Sequence, residues 1–294
     1  YYGRRLGEDI TISSLFDAGY GAVFIGIGCA EGAYLGLPDE DRTLKGYRNG
    51  IDFLLQCEKG VAVNNPPVFE GDVVVVGCGN VAMDCCRTAQ RTATGKVHVV
   101  YRRTIKEASA DHEEIEAAEA EGVEFHFLTN PVAIVSENGE VTGVRVTKME
   151  LTEPDARGRR GVKAVPGSEF VIPCKTLIAA IGQKLERNVF SEADGVQLDR
   201  RGNISVTEAL ATSRPGVFAG GDCATGPTTL IGGLSHGQRA ADSIDEYLSR
   251  GSVGFVPRSR MGKLIRDCRL LEDDELETPQ VKLERHPCPH LPIK

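Results

Sequence analysis

The sequence predicts an α/β fold built on a parallel β-sheet, and three observations carry that prediction. Apolar stretches without alternation end in glycine, as strands buried on both faces do at the edge of a parallel sheet; they are residues 22–28, 73–79, 175–182 and 216–221. Small apolar residues at helical spacing follow the second stretch. Between the second and third stretches, residues 131–173 alternate apolar and polar side chains, which predicts a small antiparallel β-meander.

Composition narrows the class of protein. The chain has 294 residues, which is enough for about two domains. Its net charge of −8 argues against nucleic acid or an anionic membrane as the main partner, and no apolar run reaches the ~18 residues that a membrane span needs. Nine cysteines without any C-x-x-C pair favour a reducing compartment, and we expect a cytoplasmic location. Because no C-x-x-C pair occurs, the cysteines also offer no obvious ligands for zinc or an iron–sulfur cluster, and no metal site is predicted.

The strongest motif is G-x-G-x-x-A, formed by Gly77, Gly79 and Ala82 between a valine strand and a helix that Asn80 and Val81 open. Gly77 allows a tight turn, Gly79 lets a pyrophosphate approach the backbone, and Ala82 lets the helix pack close to the strand. The helix N-terminus offers free N–H groups and partial positive charge to phosphates. In this strand–turn–helix context the motif predicts a dinucleotide site rather than a purely structural turn.

The end of the next strand indicates which nucleotide is bound. An NAD site places an acidic residue there to hold the ribose 2′-hydroxyl, whereas this chain has Arg102 and Arg103 and no acidic residue between Gly95 and Lys106. Arginine suits a 2′-phosphate. The pair therefore predicts NADP(H) rather than NAD, the alternative being a solvated pair of charges.

We call a strand end at the sheet edge that runs into glycines a glycine edge; the first is at Gly77 and Gly79. A second glycine edge follows further along the chain. The strand at 216–219 ends in Gly220, Gly221 and Asp222, and a helix is predicted from about Leu230 to Arg250, where Gly251 ends it. This arrangement sets a carboxylate beside a helix N-terminus, although an ordinary strand-end turn would look similar. His236 lies in the first turns of that helix and is predicted to be a packing or solvated histidine.

Several other segments have a local interpretation. Residues 47–56 read as a short apolar helix, residues 64–67 as a linker, and residues 155–161 as a charged loop tip. Cys85 and Cys86 fall on the sheet-facing side of the motif helix and are predicted to be packing residues.

Taken together, the two glycine edges resemble those of the small, flavin-containing subunit of glutamate synthase and its relatives. These proteins belong to the two-dinucleotide flavoprotein superfamily of glutathione and thioredoxin reductases. The stretches that carry the resemblance run in the family's order through residues 1 to about 250; they are 20–28, 35–38, 77–84, 101–103, 113–125, 180–182 and 217–222.

The resemblance implies two Rossmann-like dinucleotide-binding domains, each a parallel sheet with helices, plus the small antiparallel meander. It implies an FAD domain in segments 1–67 and 183–250, an inserted NADPH domain at 68–182, and an extended tail at 251–294. The family's first G-x-G-x-x-G does not occur among these residues, so the FAD domain is expected to be incomplete and the chain to be a fragment.

The resemblance also assigns residues to the two cofactors. Gly77, Gly79, Arg102 and Arg103 would contact NADPH, with Asn80 and Val81 at the helix start. Asp222 would hydrogen-bond the FAD ribitol, and the helix start near Thr229 and Leu230 would lie against the flavin ring, favouring negative charge on it. The glycine ends at Gly28, Gly182 and Gly221 complete the expected cofactor-binding set, and no side-chain acid or base is demanded.

Three functions remain open at this point. The chain could be part of an NADPH-oxidising flavoprotein that passes electrons to iron–sulfur centres of a partner subunit. It could belong to glutamate synthase proper, with an amidotransferase partner. It could also be a nucleotide-binding module without turnover, which the aspartate of the second edge argues against.

Overall fold

The computed structural model describes residues 2–154 and 160–254. Two compact units divide the chain at residues 30/31 and 183/184. We call residues 31–154 and 160–183 the inserted unit, and residues 2–30 and 184–254 the discontinuous unit.

The described residues form the following elements. The α-helices are α1 (Ile12–Asp17), α2 (Gly50–Ala62), α3 (Asn80–Thr92), α4 (His112–Ala120), α5 (Asp222–Thr225) and α6 (Leu230–Arg250), with 3₁₀ turns at Ile105–Glu107, Arg187–Val189 and Glu192–Asp194. The strands are β1 (Val23–Ile25), β2 (Glu31–Gly32), β3 (Tyr47–Asn49), β4 (Val73–Val76), β5 (Val97–Val100), β6 (Glu124–His126), β7 (Thr129–Glu137), β8 (Glu140–Pro154), β9 (Arg160–Ala164), β10 (Phe170–Pro173), β11 (Thr176–Ala179), β12 (Gln183–Lys184) and β13 (Val217–Ala219).

A five-stranded parallel sheet organises the inserted unit, in the order β3-β11-β4-β5-β6. Val76 lies opposite Ala179 on one side and Val100 on the other. The carboxyl ends of the three central strands therefore meet at one edge, where ligands bind in open parallel sheets. All four residues of β4, β5 and β11 are buried, as unbroken apolar strands predict.

The two faces of this sheet carry different layers. Helices α2, α3 and α4 pack on one face through a cluster that includes Phe53, Met83, Cys86 and Ile115. The antiparallel strands β7, β8 and β10 contribute to the cluster on the other face, and β9 extends them by pairing with β8. The predicted α/β class and its antiparallel meander are thus confirmed.

Residues 47–56 differ from the sequence interpretation. Tyr47 to Asn49 form a strand that pairs with β11, with Tyr47 opposite Leu177, and only then does α2 begin. Asn49 caps this helix, because its side chain accepts a hydrogen bond from the Asp52 N–H at 2.9 Å. Since this strand belongs to the five-stranded sheet, residues 31–67 lie with the inserted unit, and the boundary falls at residue 31 rather than at the predicted residue 68.

The discontinuous unit is built around a short parallel pair, β1 and β13, with Val23 opposite Val217. Its core includes Ile12, Leu185 and Ile204, together with Val217 and Ala219 of β13. The long helix α6 has the predicted bounds, with Thr229 as its N-cap and Gly251 in the left-handed conformation as its C-cap.

Some predicted features fall outside the described residues. Residues 155–159 of the charged loop are among them, whereas Arg160 and Gly161 belong to β9. Of the predicted tail at 251–294, only residues 251–254 are described. Within the described part of the chain, no helix is long and apolar enough to cross a membrane.

Candidate functional site

The turn at Gly77 is fixed by the strands on both sides of it. The Gly77 N–H donates to the Val100 carbonyl at 3.0 Å, and the Ala180 N–H donates to the Val76 carbonyl at 2.8 Å. A Cβ atom at Gly77 would lie 2.2 Å from the Ala180 carbonyl oxygen, and its φ of +130° disfavours any other residue. Glycine is therefore required here by packing as well as by conformation.

Gly79 opens helix α3 without a side chain in the way. It is the N-cap residue and provides no side-chain cap, and a Cβ atom there would lie 3.0 Å from Ser109 Oγ. The first N–H groups of a helix have no acceptor within the helix, so those of Asn80 and Val81 are free for an anion. Asn80 is exposed, while Ala82 is fully buried against the strand layer, as the motif predicts.

Arg102 and Arg103 follow Tyr101 after the end of β5, the strand whose Val100 carbonyl binds the Gly77 N–H. Arg102 is exposed, and Arg103 is half-buried with its backbone carbonyl bound to the Leu128 N–H at 3.0 Å. The Arg103 Nε is buried and has no hydrogen-bond partner among the described residues. Burial raises the pKa of the neighbouring Tyr101 hydroxyl, against the opposing charges of both guanidinium groups. The two arginines thus concentrate positive charge at this edge, and one of them has an unused donor.

Gly182 lies at the same edge, three residues beyond the end of β11. It has a φ of +134°, and a Cβ atom there would meet nothing within 4 Å. Its carbonyl accepts the Ala33 N–H at 2.9 Å. The structure thus brings seven of the predicted residues to one edge of the inserted unit: Gly77, Gly79, Asn80, Val81, Arg102, Arg103 and Gly182.

The second edge lies in the discontinuous unit, where β1 and β13 end together. The Gly220 N–H donates to the Ile25 carbonyl at 3.1 Å, and the Cys223 thiol lies 3.3 Å from that same oxygen. Gly28 and Gly221 both have left-handed φ values, +65° and +71°, with open space where a Cβ atom would be. Conformation rather than crowding therefore calls for glycine at these two positions.

Asp222 is held in place by the loop that follows it. Its Oδ1 accepts hydrogen bonds from the Thr228 N–H at 3.0 Å and from Thr228 Oγ1 at 3.2 Å. Its Oδ2 has no partner among the residues that the structure describes. Asp222 is the first residue of the one-turn helix α5.

The start of α6 presents an apolar surface next to this loop. Thr229 Oγ1 accepts a hydrogen bond from the Gly232 N–H at 3.3 Å. This cap satisfies one N–H group, and the other N–H groups of the first turn have no acceptor within the helix. Leu230 is 82% exposed and Ile231 is 76% exposed. Exposed large apolar residues at a helix start are typical of a surface that another group covers.

His236 has a more specific role than the sequence suggested. Its Nδ1 accepts the Gly221 N–H at 3.0 Å, so the imidazole holds the backbone one residue before Asp222. Burial lowers the pKa of this imidazole, and the nearby Arg239 lowers it further. The contact joins two residues from different elements, and no local sequence pattern could have revealed it.

The cysteines of the motif helix have the predicted packing role. Cys85 and Cys86 are fully buried, and burial raises the pKa of Cys86 to about 12. Every cysteine in the described part of the chain is buried and unpaired. A thiol with such a raised pKa is not a nucleophile at neutral pH.

Comparison with known proteins agrees with this description. The sequence profile of the pyridine nucleotide-disulphide oxidoreductase family matches residues 7–242. The NADP(+)-dependent formate dehydrogenase subunit beta of Moorella thermoacetica is 44% identical over 85% of this chain and 34% of its own length. The glutamate synthase [NADPH] small chain of Escherichia coli is 36% identical over 83% of this chain and 54% of its own length, which confirms the resemblance seen in the sequence.

A third relative, the NADPH-Fe(3+) oxidoreductase subunit beta of Geobacter sulfurreducens, is 35% identical over 93% of this chain and 44% of its own length. The chain therefore spans between about a third and about half the length of these relatives.

Solved structures show the fold. FprA of Mycobacterium tuberculosis, in complex with NADPH, superposes with a TM-score of 0.67 over 91% of this chain and 70% of its own, at 20% identity. The thioredoxin reductase of T. acidophilum superposes with a TM-score of 0.56 over 79% of this chain and 66% of its own. The predicted two-dinucleotide flavoprotein fold is thereby confirmed. With its two glycine edges and a profile match across most of its length, the chain belongs to the pyridine nucleotide-disulphide oxidoreductase family.

Proposed function

We propose that the chain is part of an NADPH-dependent flavoprotein oxidoreductase similar to the glutamate synthase small subunit. In this proposal NADP(H) binds at the edge of the inserted unit and FAD at the edge of the discontinuous unit. Bound FAD would exchange a hydride with NADP(H) and pass electrons on to iron–sulfur centres of a partner subunit. The residues of this chain bind, orient and charge-stabilise the two cofactors.

The observation that carries the proposal is the pairing of the Gly77 turn with Arg102 and Arg103 on the neighbouring strand. The turn leaves no room for a side chain, and the helix after it has free N–H groups, which fits a pyrophosphate. The arginines follow the strand at the position of the adenosine ribose, and a planar guanidinium fits a 2′-phosphate. The buried, unpartnered Arg103 Nε supports the same assignment, because a buried donor without an acceptor is costly.

The second edge supports FAD. Asp222 has one oxygen held by Thr228 and the other without a partner among described residues, which suits a ligand hydroxyl. The exposed Leu230 and the start of α6 beside it suit a flat, electron-accepting ring, since the helix dipole favours negative charge. Thr229, Gly28 and Gly221 complete this assignment.

The partner is inferred from relatives. The Moorella, Geobacter and Escherichia proteins are each described as a subunit or a small chain, so a second subunit is expected here too. An iron–sulfur partner would accept electrons from the flavin, and an amidotransferase partner would place the chain in glutamate synthase proper. The final electron acceptor follows from that partner rather than from this chain.

The test of the NADP(H) assignment is calorimetric titration of NADPH and NADH into Arg102→Ala and Arg103→Ala. Each charge-assisted hydrogen bond contributes roughly 1.5–3 kcal/mol, so NADPH affinity should fall about tenfold to a hundredfold while NADH affinity hardly changes. Arg→Lys should recover only part of the loss, because a point charge does not replace the planar fork. Arg145→Ala is the matched control, since Arg145 is an exposed arginine on β8 of the same unit. Full NADPH preference in both variants would reject the assignment.

The FAD assignment has its own test in Asp222→Ala, with fluorescence titration of FAD. Loss of a charged hydrogen-bonding group should weaken FAD at least about tenfold and leave NADPH affinity unchanged. Asp245→Ala, at an exposed position of α6, serves as the control. FAD affinity that is the same in Asp222→Ala and in the wild-type chain would reject the assignment of Asp222.

A further inference from the structure

We propose that His98, Glu124 and His126 bind a divalent ion of the zinc class at the outer strands of the sheet in the inserted unit. The three side chains offer ligand atoms that all lie within 4.8 Å of one another. They lie on β5 and β6, and the proposed nucleotide site does not use them.

Strand register brings the three residues together. His98 lies opposite Glu124 in the parallel pairing of β5 and β6, and His126 lies opposite Val100. Residues two apart in a strand share a face, so His98 and His126 are diagonal neighbours on one side of the sheet. β6 is the edge strand, which leaves the cluster open to solvent along one side. Accordingly His98 is buried, His126 is half-buried and Glu124 is exposed.

Two of the three distances between ligand atoms match those around a tetrahedral ion, and the third is within 4.8 Å. His98 Nδ1 lies 3.2 Å from His126 Nε2 and 3.3 Å from Glu124 Oε2. Ligands about 2.0–2.1 Å from a tetrahedral zinc ion are separated from each other by roughly 3.3–3.4 Å. Two imidazoles and one carboxylate are a known zinc ligand set that leaves the fourth position to water. Imidazole ligands also favour zinc, nickel or copper over magnesium and calcium, which prefer oxygen.

The surroundings supply further features of such a site. Asp72 Oδ2 lies 4.0 Å from Nε2 of His98, the ring nitrogen opposite the proposed ligand atom. At this distance Asp72 makes no direct hydrogen bond to the ring, and it acts on a bound cation only through its negative charge.

Two lysines, Lys96 and Lys148, influence the affinity of the proposed site for a divalent ion. Lys96 Nζ lies 2.6 Å from Glu124 Oε1, and this ion pair holds the carboxylate next to the histidines while competing for its charge. Lys148 opposes a nearby cation through its own charge. In the absence of an ion, the 3.2 Å contact between the two imidazoles is an N–H···N hydrogen bond. A histidine pair that only makes this hydrogen bond is the competing explanation, and it predicts no metal binding.

The experiment is calorimetric titration of Zn²⁺ into the full chain, with Co²⁺ absorption as a probe of tetrahedral geometry. The background carries His286→Gln, Cys288→Ser and His290→Gln, because these residues could bind metal independently. We expect one ion per chain and an intense cobalt d–d band, with no response to Mg²⁺.

Ligand variants separate this site from adventitious binding. His126→Gln and Glu124→Gln should each weaken Zn²⁺ at least about tenfold, the lower limit seen even for residues that only support a ligand. His112→Gln, at an exposed histidine on α4, should leave the affinity unchanged. Lys96→Met should strengthen binding roughly twofold to fivefold by freeing the carboxylate. NADPH titration of the same variants, expected to be unchanged, shows that each is folded.

The proposal is overturned if the background protein binds no Zn²⁺. It is equally overturned if His126→Gln binds as tightly as the background, or if His112→Gln loses as much affinity as His126→Gln. Unchanged affinity in both Glu124→Gln and Lys96→Met contradicts the carboxylate as a ligand.

Discussion

The two glycine edges reach similar shapes by different physical means. At the Gly77 edge, a Cβ atom would lie 2.2 Å from a backbone carbonyl of the neighbouring strand, inside a five-stranded sheet. At the Gly221 edge, a Cβ atom would meet nothing within 4 Å, and only two strands pair. There the backbone is held by side chains, His236 on the Gly221 N–H and Thr228 on Asp222.

This difference predicts which substitutions destabilise each edge. The first edge is held by backbone packing. Substitution of nearby side chains should therefore change its stability little, whereas substitution of Gly77 should destabilise it strongly. The second is held by hydrogen bonds from single side chains. A methyl group at Gly221 should therefore cost less there than at Gly77, whereas changes in those side chains should cost more. Four predictions test this contrast.

The largest effect is expected for Gly77→Ala. Its Cβ would clash with the Ala180 carbonyl and its φ is +130°, so the free energy of unfolding should fall by about 3–5 kcal/mol. Gly221→Ala meets no steric clash, but its φ of +71° and ψ of −156° fall in a region that glycine almost alone adopts, so it should cost about 1–3 kcal/mol, less than Gly77→Ala. Urea unfolding followed by circular dichroism measures both. Equal losses in the two variants would remove the contrast.

The next effect concerns the helix layer behind the first edge. Glu121 accepts hydrogen bonds from Arg91 at 2.8 Å and from Arg87 at 2.7 Å, and its side chain is only 9% exposed. Arg91 above all, and Arg87 with it, lower the pKa of Glu121 to about 2 from 4.5. Because the folded-state pKa is the lower one, the stabilisation is complete above the unfolded value and is lost as pH falls toward the folded value.

Glu121→Gln should therefore lose about 2–3 kcal/mol at neutral pH and flatten the decline in stability between pH 4.5 and 2. Glu119→Gln, at an exposed position of α4, is the control and should behave like the wild type. The urea concentration at the midpoint of unfolding, measured for each variant across this pH range, tests the expectation. If the stability of Glu121→Gln declines between pH 4.5 and 2 as steeply as that of the wild type, the ion pairs of Glu121 with the two arginines contribute nothing.

A smaller effect is expected at His236, in the second edge. Its folded-state pKa is lowered from 6.5, chiefly by burial, so the unfolded chain takes up the proton first as pH falls. Stability should be complete above pH 6.5 and decline below it. His236→Ala should cost about 1 kcal/mol at pH 8, the value of one hydrogen bond, and should lose this pH dependence.

His236→Asn sharpens the test, because its side-chain oxygen can replace Nδ1 as the acceptor for the Gly221 N–H without titrating near neutral pH. It should keep most of the stability and still lose the dependence on pH. His112→Ala is the control for removal of a histidine. Wild-type pH behaviour in His236→Asn would mean that another group titrates in this range.

The smallest effect is expected for Cys85→Ala and Cys86→Ala. Both side chains are fully buried in the helix–sheet layer, but only a sulfur atom is removed, so each change should cost less than about 1 kcal/mol of stability through lost packing. NADPH affinity should change less than about twofold, because packing of the backbone keeps the edge in place. Calorimetric titration checks the affinity. A large loss of binding with an intact circular dichroism spectrum would show that these thiols do more than pack.

Local patterns alone predicted a large part of this protein. The valine run of β4, the glycines at 77 and 79 and the helix after them appear where the motif places them. The same holds for α6, whose bounds follow from Leu230 and Gly251, and for the antiparallel strands β7, β8 and β10. Each depends on residues close in sequence, because periodicity, caps and turns are set by neighbouring side chains.

Only the tertiary structure decided the features that depend on distant residues. Tyr47 to Asn49 are a strand because β11, far along the chain, supplies hydrogen-bond partners that the apolar run of 47–56 could not reveal. His236 reaches Gly221 because a helix packs beside a strand end. His98, Glu124 and His126 meet because the register of two parallel strands places them side by side. The sequence thus determined which elements and glycine turns form, whereas pairing register and packing, which link residues far apart in the chain, determined which side chains act together.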